Sequence, residues 1–149
     1  MKDYQIINLS HLTTSETGLL QGRAYRNLNR EFAAFLGEFN LSLTDWALLG
    51  LVAGRSGVSQ VELAEELDVT APMAAKIVAA LELVGFITRV PSSTDSRVKI
   101  VNLAPAGADC IAKVEPVLRK RMSLLLADIS RADLEAYIRV LVSLAHRNQ

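Results

Sequence analysis

Residues 58–103 read VSQVELAEELDVTAPMAAKIVAALELVGFITRVPSSTDSRVKIVNL, and three periodicities follow one another inside this stretch. Ser59-Gln60-Val61-Glu62 has the spacing of a capping box, in which the Ser hydroxyl accepts from the backbone N–H three residues on and the Glu carboxylate reaches back. A helix is therefore expected from Ser59, with Leu63, Ala64 and Leu67 on its apolar side, Glu62, Glu65 and Glu66 toward water, and an end near Asp68. Thr70 is placed to cap a second helix, and Pro72 is tolerated in its first turn because the N–H it lacks would have no intrahelical partner there. Ala74, Ile77, Val78 and Leu81 recur at i, i+3, i+4 and i+7 and should face the core, and Gly85 stands where this helix should stop. The opposite face carries Pro72, Met73, Ala75, Lys76 and Ala79.

Two short helices joined by Asp68-Val69-Thr70 make a helix-turn-helix, whose second member is the candidate to enter a DNA major groove. Residues 86–90 and 98–103 are β-prone runs, and the polar, turn-rich Pro91-Ser92-Ser93-Thr94-Asp95-Ser96-Arg97 lies between them. A two-stranded hairpin, or wing, is expected there.

At these residues the chain resembles the MarR family of winged-helix transcription regulators. The resemblance rests on Leu63-Ala64-Glu65-Glu66-Leu67, on Leu81-Glu82-Leu83-Val84-Gly85-Phe86-Ile87-Thr88-Arg89, and on Asp95-Ser96-Arg97-Val98-Lys99-Ile100-Val101-Asn102-Leu103 followed by Ala104-Pro105-Ala106-Gly107. It implies a mainly α fold with a small β-hairpin wing in one domain over residues 1–149. The winged helix-turn-helix would span about 41–103, between dimerisation helices at about 13–39 and 105–146. It also implies a ligand-responsive repressor that binds a palindromic operator in double-stranded DNA as a homodimer. One departure stands out: the second helix of the motif carries Pro72, Met73 and Ala75 where this family usually has more polar residues.

The expected DNA contacts follow from side-chain chemistry. Arg97 should enter the minor groove with Asp95 orienting its guanidinium, while Lys76 and the hydroxyls of Thr70 and Ser92 contact phosphates. Pro72, Met73 and Ala75 have no side-chain donor or acceptor for base edges but can pack on thymine methyls, so an A·T-rich operator is expected. The competing reading is that Arg97 only pairs with Asp95 to stiffen the hairpin.

Composition bounds the rest. A chain of 149 residues, half of them hydrophobic and only 5% aromatic, suits one domain with a core of Leu, Val, Ile and Ala. The formal net charge is zero, and residues 58–103 hold six acids against four bases, a balance of −2, where a DNA binder normally shows a basic footprint. That balance sustains a second reading from another class, a winged-helix module for protein interaction or assembly without sequence-specific DNA binding. Cys110 is the only cysteine, so no intrachain disulfide forms, and its apolar neighbours Ala108, Ile111 and Ala112 favour simple packing over redox sensing. With no signal-peptide pattern and no apolar run long enough to span a membrane, a cytoplasmic protein is expected.

Thr13 and Glu16 make another capping-box spacing, after which Leu20, Ala24, Leu28, Phe32, Phe35, Leu36 and Phe39 form the stripe of a long first helix. Arg23, Arg26 and Arg30 recur on another face, either solvated with local partners such as Glu31 or forming an anion site. Leu43 and Thr44 open the next helix, with Leu43 and Leu48 placed as a hydrophobic staple, and Arg55-Ser56-Gly57 ends it. Tyr25, Arg26 and Trp46 are candidates to bind a small aromatic or acidic effector, although a lone Trp in an apolar helix more often packs in a core. After the wing, Pro105 should begin a helix running toward Ala127, with Pro116 a candidate kink, and Ser130 should cap a last helix through Leu134, Ile138, Leu141, Val142 and Ala145. Arg119-Lys120-Arg121 reads as a solvated face.

Nothing points to catalysis. His11 and His146 lie at opposite ends of the chain, no phosphate loop or dinucleotide Gly pattern occurs, and one Cys with two His gives no metal-ligand spacing. No catalytic residue, metal site or cofactor is expected.

Overall fold

A computed structural model describes residues 15–55 and 57–145. The chain divides into two compact units whose boundary falls between Ile111 and Ala112. The first contains α1 (Ser15–Gly37), α2 (Leu43–Gly54), β1 (Val58–Ser59), α3 (Gln60–Glu66), α4 (Ala71–Leu83), β2 (Ile87–Pro91), β3 (Lys99–Leu103) and the start of α5 (Pro105–Leu125). The second holds the remainder of α5 and α6 (Arg131–Ala145). The architecture is mainly helical with a small antiparallel sheet, as expected.

Caps set the helix boundaries. Ser59 Oγ accepts the Glu62 N–H at 3.1 Å while Glu62 Oε2 accepts the Ser59 N–H at 2.8 Å, closing the expected box at the head of α3. These bonds hold the Glu62 carboxyl below its ordinary pKa. Thr70 caps α4 and Ser130 caps α6, accepting from Met73 and Asp133 N–H at 3.4 and 3.1 Å. The Thr13 box lies outside the described residues. Three helices end alike, with one residue in the left-handed region: Asn40 (φ 57°), Asp68 (φ 50°) and Gly85 (φ 77°). After α4, the Phe86 N–H reaches Leu81 O and the Gly85 N–H reaches Glu82 O, at 3.0 and 2.9 Å, so orphan carbonyls of the last turn are satisfied.

Three sequence expectations need correction. The N-cap of α2 is Ser42, boxed with Asp45, so the staple positions are Leu41 and Trp46 rather than Leu43 and Leu48. The sheet has three strands in the order β1-β3-β2, because Val58 and Ser59 pair with Val101 and Ile100 on the free side of β3. The hairpin starts at Ile87, since Phe86 is still part of the α4 cap, and β2 runs on to Pro91, which pairs with Lys99. Pro91 is tolerated because β2 is an edge strand.

In the first unit Phe35, Leu36, Leu48, Leu49, Leu63, Val78, Ile87 and Val101 are almost wholly excluded from water. They come from every helix through α4 and from the sheet, so the core fixes the angle at which α4 and the hairpin leave it; each such side chain contributes ~1.5–3 kcal/mol by burial. Trp46 is half-buried and stands at the edge of this core. In the second unit Val114 and Leu118 of α5 are buried, α5 continues through Pro116, and α6 has no buried residue. Arg119 pairs with Glu115, and Arg119, Lys120 and Arg121 are exposed.

Candidate nucleic-acid interface

The second helix of the motif is α4. Ala74, Ile77, Val78 and Leu81 are buried, as their spacing required, which turns Pro72, Met73, Lys76 and Ala79 outward and leaves Ala75 half-buried beside them. Thr70 is exposed at the N-terminus with its Oγ1 engaged by the Met73 N–H. Leu83 was not singled out by the sequence reading, yet it is 87% exposed on this outer face. Its spacing of seven from Lys76 and four from Ala79 was the available signal.

The hairpin is tied to α4 by an ion pair. Arg89 of β2 donates through Nε to Glu82 Oε2 at 2.8 Å and pairs with the same carboxylate through Nη2. That bond draws the Glu82 carboxyl below its usual pKa. Two residues that the sequence reading left without a joint role therefore set the hairpin against the helix.

At the tip, Asp95 holds Arg97 three times over. Its Oδ1 accepts the Arg97 backbone N–H at 3.0 Å and Nε at 3.1 Å, and its Oδ2 accepts Nη2 at 3.0 Å. The fork geometry lowers the Asp95 pKa and raises that of Arg97, so both stay charged across the neutral range. The Arg97 side chain is nevertheless 89% exposed, so the guanidinium is aimed without being covered. Ser92 is half-buried and shares its hydroxyl with Thr94 at 3.0 Å, while its N–H closes the loop on Val98 O at 2.9 Å.

The unfavourable charge balance is redistributed by pairing. Glu66 is matched by Arg55 at 2.6 Å, Glu82 by Arg89 and Asp95 by Arg97. The other acids, Glu62, Glu65 and Asp68, lie on α3 and its C-terminal turn, whereas Lys76 and Lys99 are exposed with no acidic partner among the described residues. Positive charge thus remains on the outer face of α4 and along the hairpin.

Of the effector candidates, Tyr25 is 68% exposed and Arg26 is also exposed, both on α1, and Trp46 is half-buried on α2. A cleft of about 310 Å³ in this unit is lined by Phe39, Asn40, Leu41, Asp45, Ala80 and their neighbours, and none of the three candidates lines it. Among the described residues no group of three or more His, Cys, Asp or Glu is arranged to hold a metal, and no helix is long and apolar enough to cross a membrane.

Comparison with known proteins agrees with this geometry. The family model of the MarR family matches residues 39–98, which run from the turn before α2 to the hairpin tip. A protein of Thauera aromatica assigned as a transcriptional regulatory protein for the hcr operon is 30% identical over 128 residues, covering 78% of this chain and 77% of that one. The transcriptional regulator BldR from Sulfolobus solfataricus is 28% identical and superposes with a TM-score of 0.74, covering 88% of this chain and 99% of that one. BpsR of Bordetella bronchiseptica, whose DNA binding is regulated by 6-hydroxynicotinic acid, shares the fold with a TM-score of 0.79 at 15% identity, over 95% and 98% of the two chains. The family model and the relatives that are transcriptional regulators, on a fold with an outward α4 and a braced hairpin, place the chain in the MarR family of DNA-binding transcriptional regulators.

Proposed function

We propose that the chain is a homodimeric, ligand-responsive repressor that acts in the cytoplasm on a palindromic operator, regulating transcription rather than catalysing a reaction. The observation that carries the reading is Arg97, held by Asp95 yet almost fully exposed at the end of a hairpin that Arg89 and Glu82 brace on α4. In this reading α4 enters the major groove through Pro72, Met73 and Ala75, Arg97 enters the adjacent minor groove with Asp95 fixing its plane, and Lys76, Thr70 and Ser92 meet phosphates. Pre-aimed, the Arg97 guanidinium loses little side-chain freedom when it binds.

A dimer is supported by what one copy leaves uncovered. In α6, Tyr137, Ile138, Leu141 and Val142 are about half exposed or more, and Leu19 and Leu20 of α1 are also exposed. Pairing of two copies through α1, α5 and α6 would cover such surfaces and relate the two α4 helices by a two-fold axis. Half-sites about one helical turn apart, ~34 Å, would then be read together. A small aromatic or acidic effector bound near Tyr25, Arg26 and Trp46 would release DNA by changing that spacing.

A band-shift titration on the DNA upstream of the protein's own coding sequence tests this, with and without small aromatic acids. A retarded dimer complex that salt weakens and one of the acids dissolves is expected. Absence of any shift would favour the interaction-module reading, which the nearly apolar face of α4 otherwise supports.

A further inference from the structure

We infer that α4 recognises its operator chiefly by the C5-methyl groups of thymine, and that Leu83 extends this readout to the far end of the helix. The inference rests on the DNA-binding reading of α4. Its starting point is the geometry of the helix. The buried stripe Ala74, Ile77, Val78 and Leu81 fixes which side faces the core, and Pro72, Lys76, Ala79 and Leu83, at i, i+4, i+7 and i+11, lie diametrically opposite and are all exposed. Met73, 45% exposed, and Ala75 flank them. Across three turns Lys76 is the one side chain on this outer face that can hydrogen-bond, and the Thr70 oxygen at the entrance already accepts the Met73 N–H.

Such a surface has a definite preference. In the major groove each base pair presents hydrogen-bonding edges, and thymine alone of the four bases adds a methyl. An apolar side chain gains from covering that methyl. Both A·T and G·C pairs lose water from their donors and acceptors beneath such a side chain, and only the A·T pair returns a methyl contact. Met73, Ala75, Ala79 and Leu83 would therefore select thymine by that contact. A singly exposed leucine needs no explanation in general. Leu83 is different because it continues the DNA-facing line of Lys76 and Ala79 and is 87% exposed.

The test uses the full chain and duplexes that it selects from a random-sequence pool. Each selected duplex is resynthesised with deoxyuridine for thymidine, which removes the C5-methyl but leaves the pairing face and the minor-groove edge intact, so the Arg97 contact is not altered. Each contacted methyl that is lost should weaken binding about fourfold, the equivalent of ~0.8 kcal/mol. Leu83→Ala and Met73→Ala should each weaken binding to the thymine duplex and shrink the thymine-to-uracil difference. Equal affinity for the two duplexes would overturn the inference while leaving DNA binding by this chain in place, as would an undiminished difference in both variants. If no duplex is selected and none is bound, the inference falls together with the DNA-binding reading.

Discussion

Gly107, in the first turn of α5, is buried where two segments of backbone nearly touch. A Cβ added there would lie 2.1 Å from Phe86 O and 2.9 Å from Leu103 Cδ1. The carbonyl is not free to yield, because Phe86 O accepts the Ala104 N–H at 3.0 Å, whereas the Leu103 methyl can turn aside. Gly107→Ala must push the carbonyl away by about 0.9 Å to clear the 3.0 Å limit and by about 1.3 Å to reach an ordinary contact of 3.4 Å. Overpacking of this kind costs ~1–3 kcal/mol, with the upper end expected against backbone. Strain on the Ala104 bond adds about 1 kcal/mol, and a similar amount is returned by the better helix propensity of Ala. The net loss is about 3 kcal/mol, or roughly 6–12 °C in Tm for a chain of this length. Gly50→Ala in the middle of α2 meets nothing within 4 Å and should have the opposite sign, raising Tm by roughly 2–4 °C. Thermal unfolding followed by circular dichroism at equal concentrations measures both. A Gly107→Ala Tm at or above that of the parent would refute the reasoning.

Ile138→Asp places a charge on the exposed apolar side of α6, so sedimentation should show the proposed dimer split and DNA affinity lost with it; a parent chain that sediments as a monomer at micromolar concentration would contradict the arrangement. The carboxyls of Glu62, Glu82 and Asp95 all have lowered pKa values in the folded chain. Their contribution is therefore complete above the ordinary carboxylate range and lost as pH falls through the lowered values, so Tm should fall below about pH 4. Ser59→Ala together with Glu62→Gln should flatten part of that acid dependence. Titration with salicylate-like acids should change Trp46 fluorescence and weaken DNA binding together, and silence across a broad panel would remove the effector site.

What was legible in the sequence was local. Ser59 with Glu62, Thr70, Gly85 and Ser130 each bond within three or four residues of themselves, so their spacing contained the answer, and the 3.6-residue period chose the buried side of α4. What was missed depends on residues remote in sequence or on strands too short to show a period. Val58 and Ser59 are a strand only because β3, some forty residues later, lies beside them, and the same Ser59 reads locally as a helix cap. The Arg89–Glu82 brace crosses from strand to helix, and its meaning needs the geometry of the turn at Gly85. Leu83 shares the outward spacing of Lys76 and Ala79, and its exposure came only with the structure. For the proposed DNA face, the residue types were legible in the sequence, and the structure added which of them are exposed and how Asp95 grips Arg97.

Whether an arginine aimed by Asp95 binds DNA beside α4, as proposed, is tested most directly by fluorescence anisotropy of Arg97→Ala and Asp95→Ala on the same duplexes. Arg97→Ala should weaken binding to every duplex by about tenfold or more and reduce the slope of affinity against salt by about one charge. Asp95→Ala should cause a smaller loss and keep the salt slope, because the guanidinium remains but is no longer oriented. If the Arg97→Ala protein folds normally and binds with parental affinity at physiological salt, Arg97 serves only to stiffen the hairpin and the account is contradicted.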